Sequence, residues 1–87
     1  MTRRSKVLDK VLGGMADGSI RFTELRGLLT SLGFSERTKG DHHIFTREGM
    51  PEILNLQPKG SQAKNYQVKQ VRQVIVKHRL GSVPDDK

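Results

Sequence analysis

The chain has 87 residues, with 16 lysines and arginines against nine aspartates and glutamates, which gives a net charge of +7. This length allows one small domain, and the absence of cysteine excludes both disulfides and thiolate-bound metals. Charged residues interrupt the apolar pairs Val7-Leu8 and Val11-Leu12 near the start of the chain, so neither a signal peptide nor a membrane span is predicted. We therefore expect a cytoplasmic protein.

Apolar residues at helical spacing predict a first helix over residues 5–15 and a second over 23–32. The second has a leucine-rich face, and Gly33 followed by Phe34 is a typical helix stop. Both helices are short and amphipathic, so each needs another layer to cover its apolar side.

From Phe34 to Pro58 the period changes to that of strands, with glycine-containing connections between them. Three strands are predicted, at about 34–38, 42–47 and 52–57, and the short connections favour an antiparallel meander. A polar, flexible loop over 59–64 then leads to a last helix over 66–80, which Gly81 ends.

These elements predict an α+β fold, with helices on one face of a three-stranded antiparallel sheet. The order α-β-β-β-α, preceded by an extra N-terminal helix, is that of a double-stranded-RNA-binding domain. We expect an N-terminal helical extension over 1–20, an RNA-handling domain over 21–81 and a flexible tail over 82–87.

The positive charge is concentrated late in the chain. No acidic residue lies between Glu52 and Asp85, while this stretch contains six cations, namely Lys59, Lys64, Lys69, Arg72, Lys77 and Arg79. A surface of one sign attracts polyanions, so the pattern favours nucleic acid as a partner, bound in a salt-sensitive way. A solvated lysine-rich surface is the alternative interpretation.

Two adjacent histidines, His42 and His43, are the best candidates for chemistry, because imidazole exchanges protons near neutral pH as RNA cleavage requires. Neighbouring strand residues point to opposite faces, so His42 shares a side with Ile44 and His43 shares one with Phe45. If Phe45 is the core residue, His42 faces outward; if Ile44 is, the reverse holds. No metal site is predicted, since adjacent strand residues cannot face one ion.

The stretch Lys39-Gly40-Asp41-His42-His43-Ile44-Phe45 resembles the Gly-Ser-His-His-Ile-Phe strand of HicA (YcfA-type) toxins. Further similarity is carried by Phe22-Thr-Glu-Leu and Leu32-Gly33-Phe34 upstream, and by Asn55-Leu-Gln-Pro58, Ala63-Lys64 and Tyr66-Gln-Val-Lys-Gln-Val-Arg72 downstream. The resemblance covers about residues 20–81.

This resemblance implies a metal-independent mRNA interferase, which is an endoribonuclease toxin of a type II toxin–antitoxin system. A HicB-type antitoxin would neutralise it, and no cofactor is implied. The catalytic histidine of the family falls on His42, with Gly40, Asp41 and His43 as possible supporting residues. Asp41 replaces the family's serine, and its carboxylate could orient His42 or repel phosphate.

We expect phosphate contacts from five cations, Lys39, Lys59, Lys64, Lys69 and Arg72. Two other functions remain open at this point. One is a non-catalytic module that binds duplex RNA or DNA by shape and phosphate contacts. The other is an interaction protein whose basic surface meets an acidic protein partner.

Overall fold

The computed structural model of the protein describes residues 6–80. Its helices are α1 (Lys6–Gly13), α2 (Phe22–Ser31) and α3 (Asn65–Lys77), and its strands are β1 (Ser35–Lys39), β2 (His42–Thr46) and β3 (Leu54–Leu56). A short 3-10 turn at Asp17–Ser19 joins α1 to α2. No helix in this part of the chain is long and apolar enough to cross a bilayer. The predicted tail over 82–87 and the predicted helix stop at Gly81 lie outside the described residues.

The α+β prediction is confirmed, because the strands form an antiparallel sheet in the order β1-β2-β3. Each strand begins and ends within two residues of its predicted bounds. The turn between β1 and β2 consists of Gly40 and Asp41, and Gly40 alone of the two has a positive φ, of +60°. This is the pattern of a II′ turn, whose twist matches that of the strands it joins.

The hydrophobic core lies between one face of the sheet and the helices. Phe45, Leu54 and Leu56 are buried on the sheet side, and they share one cluster with buried residues of α2 and α3, namely Leu25, Leu28, Leu29, Val68, Val71, Val74 and Ile75. The other face of the sheet is left open by the described helices. A one-sided sheet of this kind leaves its outward side chains in contact with solvent.

α1 belongs to the same core, because it packs against α2 and α3 and contributes the buried residues Leu8 and Val11. Arg72 of α3 reinforces this contact. Its Nη1 donates to Oδ1 of Asp17 at 2.9 Å and to the carbonyl of Val11 at 3.0 Å, and its Nη2 donates to Oδ2 of Asp17 at 3.2 Å. Residues 6–20 of the predicted extension are therefore integrated with the rest of the domain.

The segment 59–64, predicted as a flexible loop, is held by backbone hydrogen bonds. The N–H of Lys59 donates to the carbonyl of Gln62 at 2.9 Å, and the N–H of Gln62 donates back to Lys59 at 3.1 Å. The N–H of Ala63 donates to the carbonyl of Ile20 at 2.9 Å. The cations of this segment are consequently carried on a defined backbone.

Candidate functional site

The two adjacent histidines lie on opposite faces of the sheet. Phe45 is fully buried, so strand alternation places His43 on the core side and His42 on the open face. The ring of His43 packs edge-on against Phe22, with a distance of 4.9 Å between the ring centroids. His42 is exposed. The alternative in which Ile44 occupies the core is wrong, since Ile44 is only half-buried.

Asn55 of β3 orients the imidazole of His42. Its Oδ1 lies 2.9 Å from Nδ1 of His42, across a diagonal set by the pairing of Ile44 with Asn55. An amide oxygen only accepts hydrogen bonds, so with this contact Nδ1 carries a proton whether the ring is neutral or cationic. Nε2 hydrogen-bonds to no protein atom within residues 6–80. It is therefore the ring atom that can exchange a proton with a ligand.

Two cations share the open face with His42. Lys39 pairs directly with His42, and Arg37 pairs with Ile44 on the same side of the sheet. Directly paired strand residues have Cβ atoms about 4.5–5.5 Å apart, so the aliphatic part of the Lys39 side chain lies beside the imidazole of His42. No strand residue on this face carries a carboxylate, because Glu36 of β1 points to the core side. The surface around His42 thus combines a proton carrier with positive charge.

Arg37 and Asn55 were not predicted from the sequence. Arg37 shares the strand parity of Lys39, which could have identified it once the direction of β1 was known. Asn55 is unusual in the middle of a strand, where asparagine is disfavoured, and that is a weak signal of a side chain with another role.

The two residues before His42, Gly40 and Asp41, form the turn between β1 and β2. Gly40 adopts a positive φ that strains any residue with a side chain, and no atom lies within 4 Å of the position a Cβ would take. The turn therefore requires glycine for its own geometry. Asp41 is exposed and makes no hydrogen bond or ion pair with His42 within the described chain. The side chain that hydrogen-bonds to the imidazole of His42 is that of Asn55.

His43 belongs to an ion-pair network that connects α2 with the sheet. Its Nδ1 donates to Oε2 of Glu36 at 2.6 Å, and Nη2 of Arg26 donates to Oε1 of the same carboxylate at 3.1 Å. Nε of Arg26 lies 2.9 Å from Oε2, although in a direction that does not form a hydrogen bond. Burial raises the pKa of Glu36, but the hydrogen bonds from His43 and Arg26 outweigh it and hold that pKa below its ordinary value. His43 thus supports the fold beneath the open face.

The predicted phosphate-binding cations are carried by different elements of the fold. Lys39 is on the open face, Lys59 and Lys64 flank the ordered 59–64 segment, and Lys69 is exposed on α3. Arg72 differs from these lysines, because its guanidinium is half-buried and donates hydrogen bonds to Asp17 and to the carbonyl of Val11. A structural role for Arg72 accounts for all of its observed contacts.

A second ion-pair cluster joins the end of α3 to the approach to β3. Nζ of Lys77 donates to Oε2 of Glu52 at 2.7 Å, and Nε2 of His78 lies 2.8 Å from Oε1. The hydrogen bonds from Lys77 and then from His78 lower the pKa of Glu52 to about 2. His78 is therefore engaged in holding the helix end and lies apart from the histidine on the open face.

Within residues 6–80 there is no group of three histidine, aspartate or glutamate side chains that could hold a metal ion. Comparisons of the chain with protein-family models, with curated proteins and with solved structures give no match.

Proposed function

We propose that the protein is an mRNA interferase, a metal-independent endoribonuclease toxin of a type II toxin–antitoxin module that acts in the cytoplasm. The observation that carries this proposal is the setting of His42. Its side chain is on the open sheet face, its Nδ1 is held by Asn55, and its Nε2 faces outward beside Lys39. A HicB-type antitoxin that covers this face would neutralise the toxin.

RNA supplies its own nucleophile in the 2′-hydroxyl group, so the protein needs a base and positive charge. His42 accepts the 2′-hydroxyl proton on Nε2, while the 2′ oxygen bonds to the adjacent phosphorus. The bond from phosphorus to the 5′ oxygen breaks, and that oxygen takes a proton from water. The products are a 2′,3′-cyclic phosphate and a 5′-hydroxyl end. A positioned general base of this kind contributes about 10²–10⁴-fold to the rate.

The cations of the open face stabilise the charge that develops on the phosphate during this step. Lys39 stands directly across from His42, and Arg37 is two residues away along the same face of β1. Positive groups placed where negative charge grows act most strongly in the transition state. The lysines at 59, 64 and 69 extend the positive field along the rest of the RNA and bind it in a salt-dependent way.

The test compares purified wild-type protein with His42→Ala on a messenger RNA substrate in excess EDTA. The wild type cleaves, and the variant loses cleavage by about 10²-fold or more while its circular dichroism spectrum is unchanged, because His42 is exposed. Lys6→Ala on the exposed side of α1 is the matched control and cleaves like the wild type. Cleavage by His42→Ala at the wild-type rate would sink the proposal.

The second candidate is a non-catalytic nucleic-acid-binding module. It is favoured by the ordered placement of Lys59 and Lys64, which need no histidine to bind phosphates. This function predicts that His42→Ala binds RNA as well as the wild type does and that neither protein yields cleavage products. The EDTA experiment separates the two candidates directly.

A further inference from the structure

An open cavity of about 920 Å³ lies beside the start of α3, and no strand residue lines it. Its walls include Pro58, Lys59, Gln62, Lys64, Asn65 and Tyr66. Pockets that bind small organic molecules span roughly 300–1,000 Å³, so the cavity has room for a group as large as a nucleotide. None of these wall residues takes part in the proton transfer proposed for His42.

The exposed residue Tyr66 indicates which class of ligand this cavity can bind. The chain has three phenylalanines, one tyrosine and no tryptophan. All three phenylalanines are buried in the core, whereas Tyr66 is 62% exposed. Among these four rings, only that of Tyr66 therefore has a face available to a ligand. An exposed aromatic face in a basic groove is the platform on which unpaired bases stack.

Two lysines complement the ring. Nζ of Lys64 lies 5.9 Å from the centroid of Tyr66, within the range of a cation–π contact, and Lys59 stands on another wall of the cavity. The backbone pairing of Lys59 with Gln62 holds this wall in place before any ligand arrives. A preformed wall reduces the conformational entropy lost on binding.

Pro58, which lines the cavity, follows β3 at the end of the sheet where β2 begins with His42. Leu56 of β3 pairs with His43, and Pro58 is two residues farther along the chain. Two residues of extended chain span at most about 7 Å. Pro58 is therefore close to the end of β3, which brings the cavity to the same end of the sheet as His42.

We propose that this cavity binds an unpaired nucleotide of RNA, with its base stacked on Tyr66 and its phosphates held by Lys59 and Lys64. The inference rests on the proposed function in that it concerns the same substrate, and it defines that substrate as single-stranded. A base within a duplex is already stacked on its neighbours and cannot reach the ring. The cavity thus selects unpaired RNA as the substrate of the proposed nuclease.

The experiment uses the fluorescence of Tyr66, which is the sole tyrosine in a chain without tryptophan. The His42→Ala protein is titrated with a single-stranded decaribonucleotide, with the same sequence as a perfect duplex, and with inorganic polyphosphate. Anisotropy of a labelled RNA end reports binding independently. We expect saturable quenching by the single strand, and little quenching by the duplex or by polyphosphate. Equal quenching by polyphosphate, or single-strand binding without quenching, would overturn base stacking.

Variants of the ring give a second test that does not depend on fluorescence. Tyr66→Ala weakens binding of the single strand by on the order of tenfold, while Tyr66→Phe stays within about twofold, because stacking needs only an aromatic face. Tyr66 is exposed, so both variants fold. Binding by Tyr66→Ala equal to that of the wild type would overturn the site. Quenching of His42→Ala fluorescence without cleavage by the wild type would leave the site standing and refute the nuclease.

Discussion

Asn55 and His42 face each other diagonally across β3 and β2, with 2.9 Å between Oδ1 of the amide and Nδ1 of the ring. The contact holds one nitrogen in its protonated form and turns the other outward. Because a protonated Nδ1 suits both the neutral and the cationic ring, the imidazole can gain and lose a proton on Nε2 without changing its orientation. Asn55 is accordingly a positioning residue.

Replacing Asn55 tests this positioning. Asn55→Ala removes a hydrogen bond worth about 0.5–1.5 kcal/mol, and we expect RNA cleavage to slow by roughly two- to tenfold. Asn55→Asp keeps an acceptor and adds a negative charge, which favours the protonated imidazole and moves the acidic limb of the pH–rate profile to higher pH. Profiles of kcat/KM against pH measure both effects. An Asn55→Asp profile that coincides with that of the wild type would contradict the assignment.

His43 is expected to matter for stability. His43→Ala removes the partner of Glu36 and the contact with Phe22, and we expect the free energy of unfolding to fall by about 2 kcal/mol. Urea titration measures this loss, with the exposed His42→Ala as the matched control that changes stability by less than about 0.5 kcal/mol. Cleavage per folded molecule should survive in His43→Ala. If His43→Ala kept its full stability but lost cleavage, His43 and not His42 would be the catalytic histidine.

The Glu52 cluster predicts a defined acid dependence of stability. Its folded pKa of about 2 is below the ordinary value of 4.5, so its contribution is complete above pH 4.5 and is lost as the pH falls toward 2. The difference in Tm between wild type and Glu52→Gln should narrow as the pH falls below 4.5 and vanish once the pH is below 2. Because Glu36 is present in both proteins, its own titration cancels in the comparison. A difference that does not change with pH would show that the carboxylate charge is not responsible.

Arg72 is expected to stabilise the fold and to contribute little to RNA affinity. Arg72→Ala leaves the carboxylate of Asp17, which is only 9% exposed, without its guanidinium, so we expect a loss of about 2–3 kcal/mol. Arg72→Lys should recover only part of it, because an ammonium group lacks the paired donors of a guanidinium.

Salt dependence of RNA binding separates this role from phosphate contact. Lys59→Ala should reduce the slope of log K against log salt by about 0.7, as expected for one lost phosphate contact to a single strand. Arg72→Ala, measured below its unfolding temperature, should leave the slope unchanged. An equal reduction of the slope in both variants would show that Arg72 also contacts a phosphate of the RNA.

Much of the fold was predictable because it follows from residue periodicity. The leucines of α2 recur at helical spacing, and the glycine-containing turns divide the strands, so the order of elements and the antiparallel sheet were both expected. Strand alternation also limited the orientation of His42 to two possibilities. The complete burial of Phe45 then decided between them.

The remaining contacts depend on positions that are distant in sequence, and local pattern carries no information about them. Asn55 reaches His42 through the register of two strands, and Glu52 meets Lys77 across 25 residues. Arg72 was predicted to bind RNA from its positive charge alone. Its partner Asp17 is 55 residues away in the sequence, so the ion pair could not be predicted.

The contact of Arg72 with Asp17 also has a consequence for the order of events during translation. α1 and the strand that carries His42 leave the ribosome before α3, yet α3 supplies Val71 and Ile75 to the core beneath them. Closing so long a loop has to wait for the last helix. We therefore expect the nascent chain to acquire its sheet surface only after α3 has been synthesised, so that any RNA-cleaving activity requires this helix.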